Sequence, residues 1–161
     1  MTNQGNKLPM LKYLQKYMAG TLTDRDTTHM QYPTPISKTL GIRIVEIALG
    51  TATVEIDASP EVHGNQQATI HGGLICGLAD VAIGTAHSTL MKEDESFASI
   101  DLKINFFRPV WTSTLRATVK PMRSGRTITR YTCVILCDDG KVVATVISSV
   151  MTLRGEKARR H

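Results

Sequence analysis

Residues 74–86 read LICGLADVAIGTA, and Asp80 is the one ionisable side chain among them. A helix that is apolar on every side has no solvent face, so this run predicts a central helix buried within the domain. Upstream, Leu11, Leu14, Tyr17 or Met18, and Leu22 recur at helical spacing among Lys12, Gln15 and Lys16. They predict an outer amphipathic helix over residues 7–19, ended by Gly20. Residues 21–37, with Pro33, Pro35 and several Thr, read as an ordered but irregular connection. Period two then takes over: residues 40–48 and 51–57 alternate apolar and polar positions about Leu49-Gly50, predicting an antiparallel hairpin that Ser59-Pro60 ends. Beyond the central helix and an exposed turn at residues 92–95, four strand-like runs follow, 98–107, 114–123, 127–137 and 142–153. Their separators are Arg108-Pro109, Ser124-Gly125 and Asp138-Asp139-Gly140, all turn signals. Short links between consecutive strands predict an antiparallel meander.

Six strands and one long apolar helix make an α+β domain in which a curved antiparallel sheet wraps the helix, with an extra N-terminal helix. The expected organisation is an N-terminal helix and connection over 1–37, the domain over 38–153, and a solvated basic tail over 154–161. At 161 residues the chain is long enough for one domain with a real core. The helix run is shorter than the roughly 20 apolar residues a bilayer requires and carries Asp80, which excludes a membrane span. The N-terminus has no apolar signal-peptide region, so a cytoplasmic location is expected. Cys76, Cys133 and Cys137 sit in apolar runs and are expected as reduced core thiols. Cys133 and Cys137 would lie about 13 Å apart on one strand face, too far to bridge. The net charge of +5 favours anionic partners, but no nucleic-acid-binding motif accompanies it.

Asp80 needs a partner or a use in apolar surroundings. His71-Gly72-Gly73 lies at the helix amino end, where unpaired N–H groups and the dipole favour negative charge and glycine allows close approach. A carbonyl placed there would have its developing oxyanion stabilised. From Gly72 to Asp80 a helix rises about 12 Å, so one chain cannot bring both to one carbonyl. If they serve one reaction, two helices must run antiparallel with Asp80 of one subunit facing Gly72 of the other.

The segments HGGLICGLAD (71–80) and SIDLKINFFRP (99–109) together resemble the hotdog-fold thioesterases of the phenylacetate-pathway (PaaI-like) and thioesterase superfamily member 2 type, over about residues 40–153. The resemblance implies hydrolysis of an acyl-CoA thioester by a homodimer, or a tetramer built from such dimers. In it the Gly72 N–H, with Gly73 as second choice, polarises the carbonyl, and His71 and Asn65 orient the carbonyl or the water. Gln66 and Gln67 compete with Asn65 for that alignment. Asp80 of the partner acts as general base or nucleophile, with Ser99 positioning the water or the carboxylate. Coenzyme A is part of the substrate and no cofactor is expected. Its phosphates call for basic residues, for which Arg123, Arg126 and Arg108 are the candidates. No His, Cys and carboxylate grouping has metal-ligand spacing, and His29, His63 and His87 are expected to be structural or exposed. Two alternatives stand beside hydrolysis: a non-catalytic acyl-CoA-binding module, which would not need Asp80, and a hydratase or dehydratase, whose loop motifs are absent here.

Overall fold

The computed structural model describes residues 5–160. The first four residues of the N-terminal segment and His161 of the expected tail lie outside the described residues. The chain begins with β1 (Asn6–Lys7), α1 (Met10–Met18) and β2 (Asp26–Thr27), β1 and β2 pairing in parallel. Met10 and Leu14 of α1 are buried in the main core, so the predicted amphipathic helix packs as its pattern requires. Asp26 ties this segment together: its carboxylate accepts from Asn6 Nδ2, Lys16 Nζ and the Thr23 N–H. Those bonds, led by the one from Lys16, hold Asp26 well below the usual carboxylate range.

The connection over 21–37 is less irregular than expected. Thr34 Oγ1 accepts from the Ser37 N–H and caps α2 (Pro35–Leu40), with Pro35 as first residue and Gly41 closing it at φ 72°. These are start and stop signals that the surrounding Pro and Thr obscured. Leu40 therefore ends a helix and β3 (Arg43–Ala48) starts later than its alternation suggested. β4 (Thr51–Ala58) returns through Leu49-Gly50, and Ser59-Pro60 opens a single helical turn, α3 (Pro60–His63).

The central helix α4 (Gly72–Ser88) is followed by β5 (Ser96–Phe106), β6 (Ser113–Ser124), β7 (Ile128–Leu136) and β8 (Val142–Leu153), and a 3-10 helix covers Gly155–Arg160. The sheet order is β3-β4-β6-β7-β8-β5, antiparallel throughout. This corrects the expected meander. β6, β7 and β8 form one, but β5 pairs with β8 at the far edge and β6 pairs with β4. The Arg108-Pro109 break is a crossover, not a hairpin turn. Its Val110 carbonyl accepts from the Ile70 N–H at 2.7 Å, fastening the crossover to the loop that leads into α4.

α4 lies against the sheet through Leu78, Ala79, Ala82, Ile83 and Ala86, all fully buried against Val54, Leu115, Ile135 and their neighbours. Burial of each large side chain stabilises by about 1.5–3 kcal/mol. His87 fastens the helix end to the sheet, with Nδ1 bonded to Tyr131 Oη at 2.8 Å and Nε2 to Thr152 Oγ1 at 3.0 Å. Its burial lowers the imidazole pKa to about 4. His63 Nδ1 accepts from the Ser59 N–H within α3, whereas both half-buried His29 ring nitrogens lack a partner among the described residues.

Two further expectations need revision. α4 is not covered on all sides: Gly73 and Asp80 are exposed, and Leu74, Cys76, Gly77, Val81 and Gly84 half-buried, along one open face. Hydropathy registers that a side must be covered, not that the same chain covers it. Of the cysteines, all free, Cys133 alone is a core thiol; Cys76 lies on the open face and Cys137 donates to Asp139 at a surface turn. The basic tail also begins later than read, because Arg154 Nε donates to Glu95 Oε1 at 2.7 Å.

Candidate active site

The loop before α4 is built on Asn65. Its Oδ1 accepts from the Gln67 and Thr69 N–H groups and its Nδ2 donates to Thr69 Oγ1, an Asx-type arrangement that closes residues 65–69 into a compact turn. One Nδ2 hydrogen remains for another acceptor. Two backbone bonds, His71 N–H to the His63 carbonyl and Ile70 N–H to the Val110 carbonyl, then deliver the chain to the helix.

His71 is the N-cap of α4, its Nδ1 accepting from the Gly73 N–H at 2.8 Å. An imidazole nitrogen that accepts carries no proton, which leaves Nε2 as the ring's donor. The capping bond uses the Gly73 N–H. The Gly72 N–H has no acceptor among the described residues and is the free donor at the dipole's positive end. Gly72 opens onto a cleft of about 380 Å³ shared with Asn65, Gln67, Phe106 and Arg108. The structure thus gathers Asn65, Gly72 and Arg108 around one opening. Gln66 is exposed and is not part of that lining, whereas Gln67, an alternative to Asn65 in the sequence, lines the same cleft.

Asp80 lies two turns further along the open face. Ser99 Oγ, on the edge strand β5, donates to Asp80 Oδ1 at 3.0 Å, leaving Oδ2 unengaged. A second pocket of about 220 Å³ begins at this carboxylate and runs past Val81 and Gly84. Its outer wall is Met30 and Tyr32 of the segment before α2 and Ile36 in the first turn of α2, residues that sequence reasoning left out of the site. Their apolar character inside a Pro- and Thr-rich stretch was the available signal.

The arginines separate into two places. Arg108 is at the Gly72 cleft, whereas Arg123 lines a shallow pocket of about 550 Å³ with Arg130 and Ser149. Arg126 is exposed in the turn beside it. Register relates this turn to the carboxylate, because Ser99, Val150, Thr129 and Ser124 form one row across β5, β8, β7 and β6. Three inter-strand steps put the arginine turn about 14 Å from Ser99. Among the described residues no three His, Cys, Asp or Glu side chains could hold a metal ion, and no helix is long and apolar enough to cross a membrane.

A family model for the thioesterase superfamily matches residues 67–144, a span that includes the helix start, Asp80, Ser99 and the arginine turn. The chain resembles the thioesterase superfamily over that span, just under half of its length. Its hotdog fold matches that of the PaaI protein of the Escherichia coli phenylacetic acid degradation operon, at a TM-score of 0.73 and 22% identity over 91% of this chain and 95% of that one. A thioesterase family protein of Silicibacter pomeroyi superposes at 0.72 with 23% identity, covering 91% and 99%. In sequence, a putative esterase of Saccharolobus solfataricus is 29% identical over 74% of this chain and 84% of its own length. The Salmonella typhimurium medium/long-chain acyl-CoA thioesterase YigI is 24% identical over 74% and 86%. Asn65 and the Met30–Ile36 wall lie outside the matched superfamily span.

Proposed function

We propose that the protein hydrolyses acyl-CoA thioesters at sites shared between the two subunits of a homodimer. The observation that carries this reading is the division of chemistry along one open helix face. A free Gly72 N–H stands at the helix start and a free carboxylate oxygen of Asp80 about 12 Å further on. Antiparallel pairing of two α4 helices about a two-fold axis superposes each Asp80 on the partner's Gly72, with the axis passing level with Cys76. Gly73, Gly77 and Gly84 on that face allow the close approach. Exposed Phe106, Phe107 and Trp111 near the Gly72 end add apolar surface that a partner would cover.

In this arrangement the thioester carbonyl oxygen sits on the Gly72 N–H, aided by His71 Nε2–H. Asp80 Oδ2 of the other subunit takes a proton from a water whose oxygen bonds to the carbonyl carbon. The oxyanion is stabilised by preorganised donors. Collapse breaks the carbon–sulfur bond, and coenzyme A departs as a thiolate that needs little help from an acid. Arg123 and Arg126 supply positive charge for the nucleotide phosphates. The acyl-CoA substrate is also that named for the YigI relative.

The test is thiol release from a panel of acyl-CoA esters by wild type and Asp80→Asn. Hydrolysis by wild type and near-complete loss in the variant are expected. Equal rates would remove Asp80 from the chemistry, and binding without turnover by wild type would favour a non-catalytic acyl-CoA-binding module.

A further inference from the structure

Resting on the acyl-CoA reading, one question is what receives the acyl group. A carbonyl held between Gly72 and the partner's Asp80 sits at the mouth of the pocket that begins at that same carboxylate. Its acyl substituent therefore enters the pocket of the subunit that lends the acid and runs along that subunit's α4 beyond Asp80. The pocket that begins there follows Val81, Gly84 and Ser88, a run of about 12 Å from Asp80 along the helix. Gly84 and the Phe97 ring form its floor, close enough that a Cβ on residue 84 would lie in ordinary contact with the ring at 3.6 Å. Nothing in the superfamily-matched span closes the far side. That is done by the segment leading into α2 and the first turn of α2.

We propose that this N-terminal arm is the chain-length ruler of the enzyme, with Met30, Tyr32 and Ile36 forming the distal wall of the acyl site. The volume sets the class of substrate. An apolar cavity of about 150 Å³ accepts benzene, so the 220 Å³ here holds about eight or nine carbons, as a straight chain or a ring with a short arm. Longer groups must displace the wall. The wall resists displacement because it is anchored on both sides. Tyr32 packs edge-on against Tyr17 of α1 at a centroid separation of 5.1 Å, and Thr34 caps α2. Upstream, the Asp26 cluster fastens the chain to α1. The arm thus makes selectivity a property of this chain's own extension, while the shared helix supplies the chemistry.

The experiment is kcat/KM for butyryl-, octanoyl-, dodecanoyl- and hexadecanoyl-CoA with wild type, Met30→Ala, Tyr32→Ala and Ile36→Trp. Thermal unfolding confirms that each variant is folded. Ile36 is half exposed, so the added ring narrows the pocket mouth without entering the core. Wild type is expected to favour octanoyl- over hexadecanoyl-CoA by about tenfold or more. The long-to-short ratio should rise about tenfold in the two alanine variants and fall in Ile36→Trp. Coincident profiles in an active set of enzymes would overturn the ruler alone. A wild type that hydrolyses none of the four would overturn the ruler together with the acyl-CoA reading.

Discussion

Ser99 Oγ donates to Asp80 Oδ1 at 3.0 Å, bridging the edge strand and the open face of the central helix. The bond fixes one oxygen of an exposed carboxylate, so the other keeps a constant direction. For a group on a solvent-facing helix this orientation is worth more than the modest stability of the bond itself.

Ser99→Ala is therefore expected to lower kcat about tenfold with little change in KM, a positioning effect. Asp80→Asn should lower it by about a thousandfold or more. Steady-state thiol release checks both, and an unchanged kcat in Ser99→Ala would remove the positioning role.

The two roles given to His71 can be separated. Asparagine is as good an N-cap as any residue but has no counterpart of Nε2–H at that reach. His71→Asn should keep the thermal midpoint within about a degree or two while losing roughly tenfold in kcat. His71→Ala should lose the same activity and about 1 kcal/mol of stability besides. Equal activity in wild type and His71→Asn would reduce His71 to a cap.

Much of this was legible in the sequence, for physical reasons that differ by element. Alternation about Leu49-Gly50 and the apolar run through Leu78 and Ile83 announce themselves because each follows one period. β5 was misplaced because Arg108-Pro109 marks a break without saying how far the chain then travels, and strand order is decided by packing across the whole sheet. The Gly72–Asp80 spacing was readable as a length along a helix. That Gly73 is the spent donor and Gly72 the free one depends on the rotamer of His71, which no pattern encodes. The Met30–Ile36 wall was hidden among Pro and Thr because its residues follow no period at all.

His87 gives the fold an acid sensitivity. Burial lowers its pKa from the ordinary 6.5 to about 4, so above pH 6.5 it is neutral folded or unfolded. As the pH falls from there to about 4, the unfolded chain takes up a proton that the folded one refuses, and stability is lost. Urea unfolding should show a loss of about 2 kcal/mol from this group between pH 7.5 and 5. Burial of His29 acts in the same sense. His87→Gln should be less stable at pH 7.5, yet lose less than wild type on acidification. Parallel pH profiles would contradict the assignment.

Recognition of the nucleotide can be read from a truncated substrate. Arg126→Ala and Arg123→Ala are expected to raise KM several-fold for an acyl-CoA but not for the same acyl group on N-acetylcysteamine, which carries no phosphates. Equal effects on the two substrates would place these arginines outside coenzyme A binding.

The shared site itself is tested by complementation between two inactive chains. Gly72→Pro removes the one N–H at issue while suiting the first position of a helix, and His71 at ψ 133° already has the conformation a following proline requires. Alone it should lose a hundredfold to a thousandfold in kcat, as Asp80→Asn does by losing the acid. When the two variants are co-expressed and assort at random, half of the dimers are mixed. Each mixed dimer contains one site with both wild-type groups, restoring about a quarter of wild-type activity. Activity in the mixture no higher than the mean of the two separate variants would contradict a site divided between subunits.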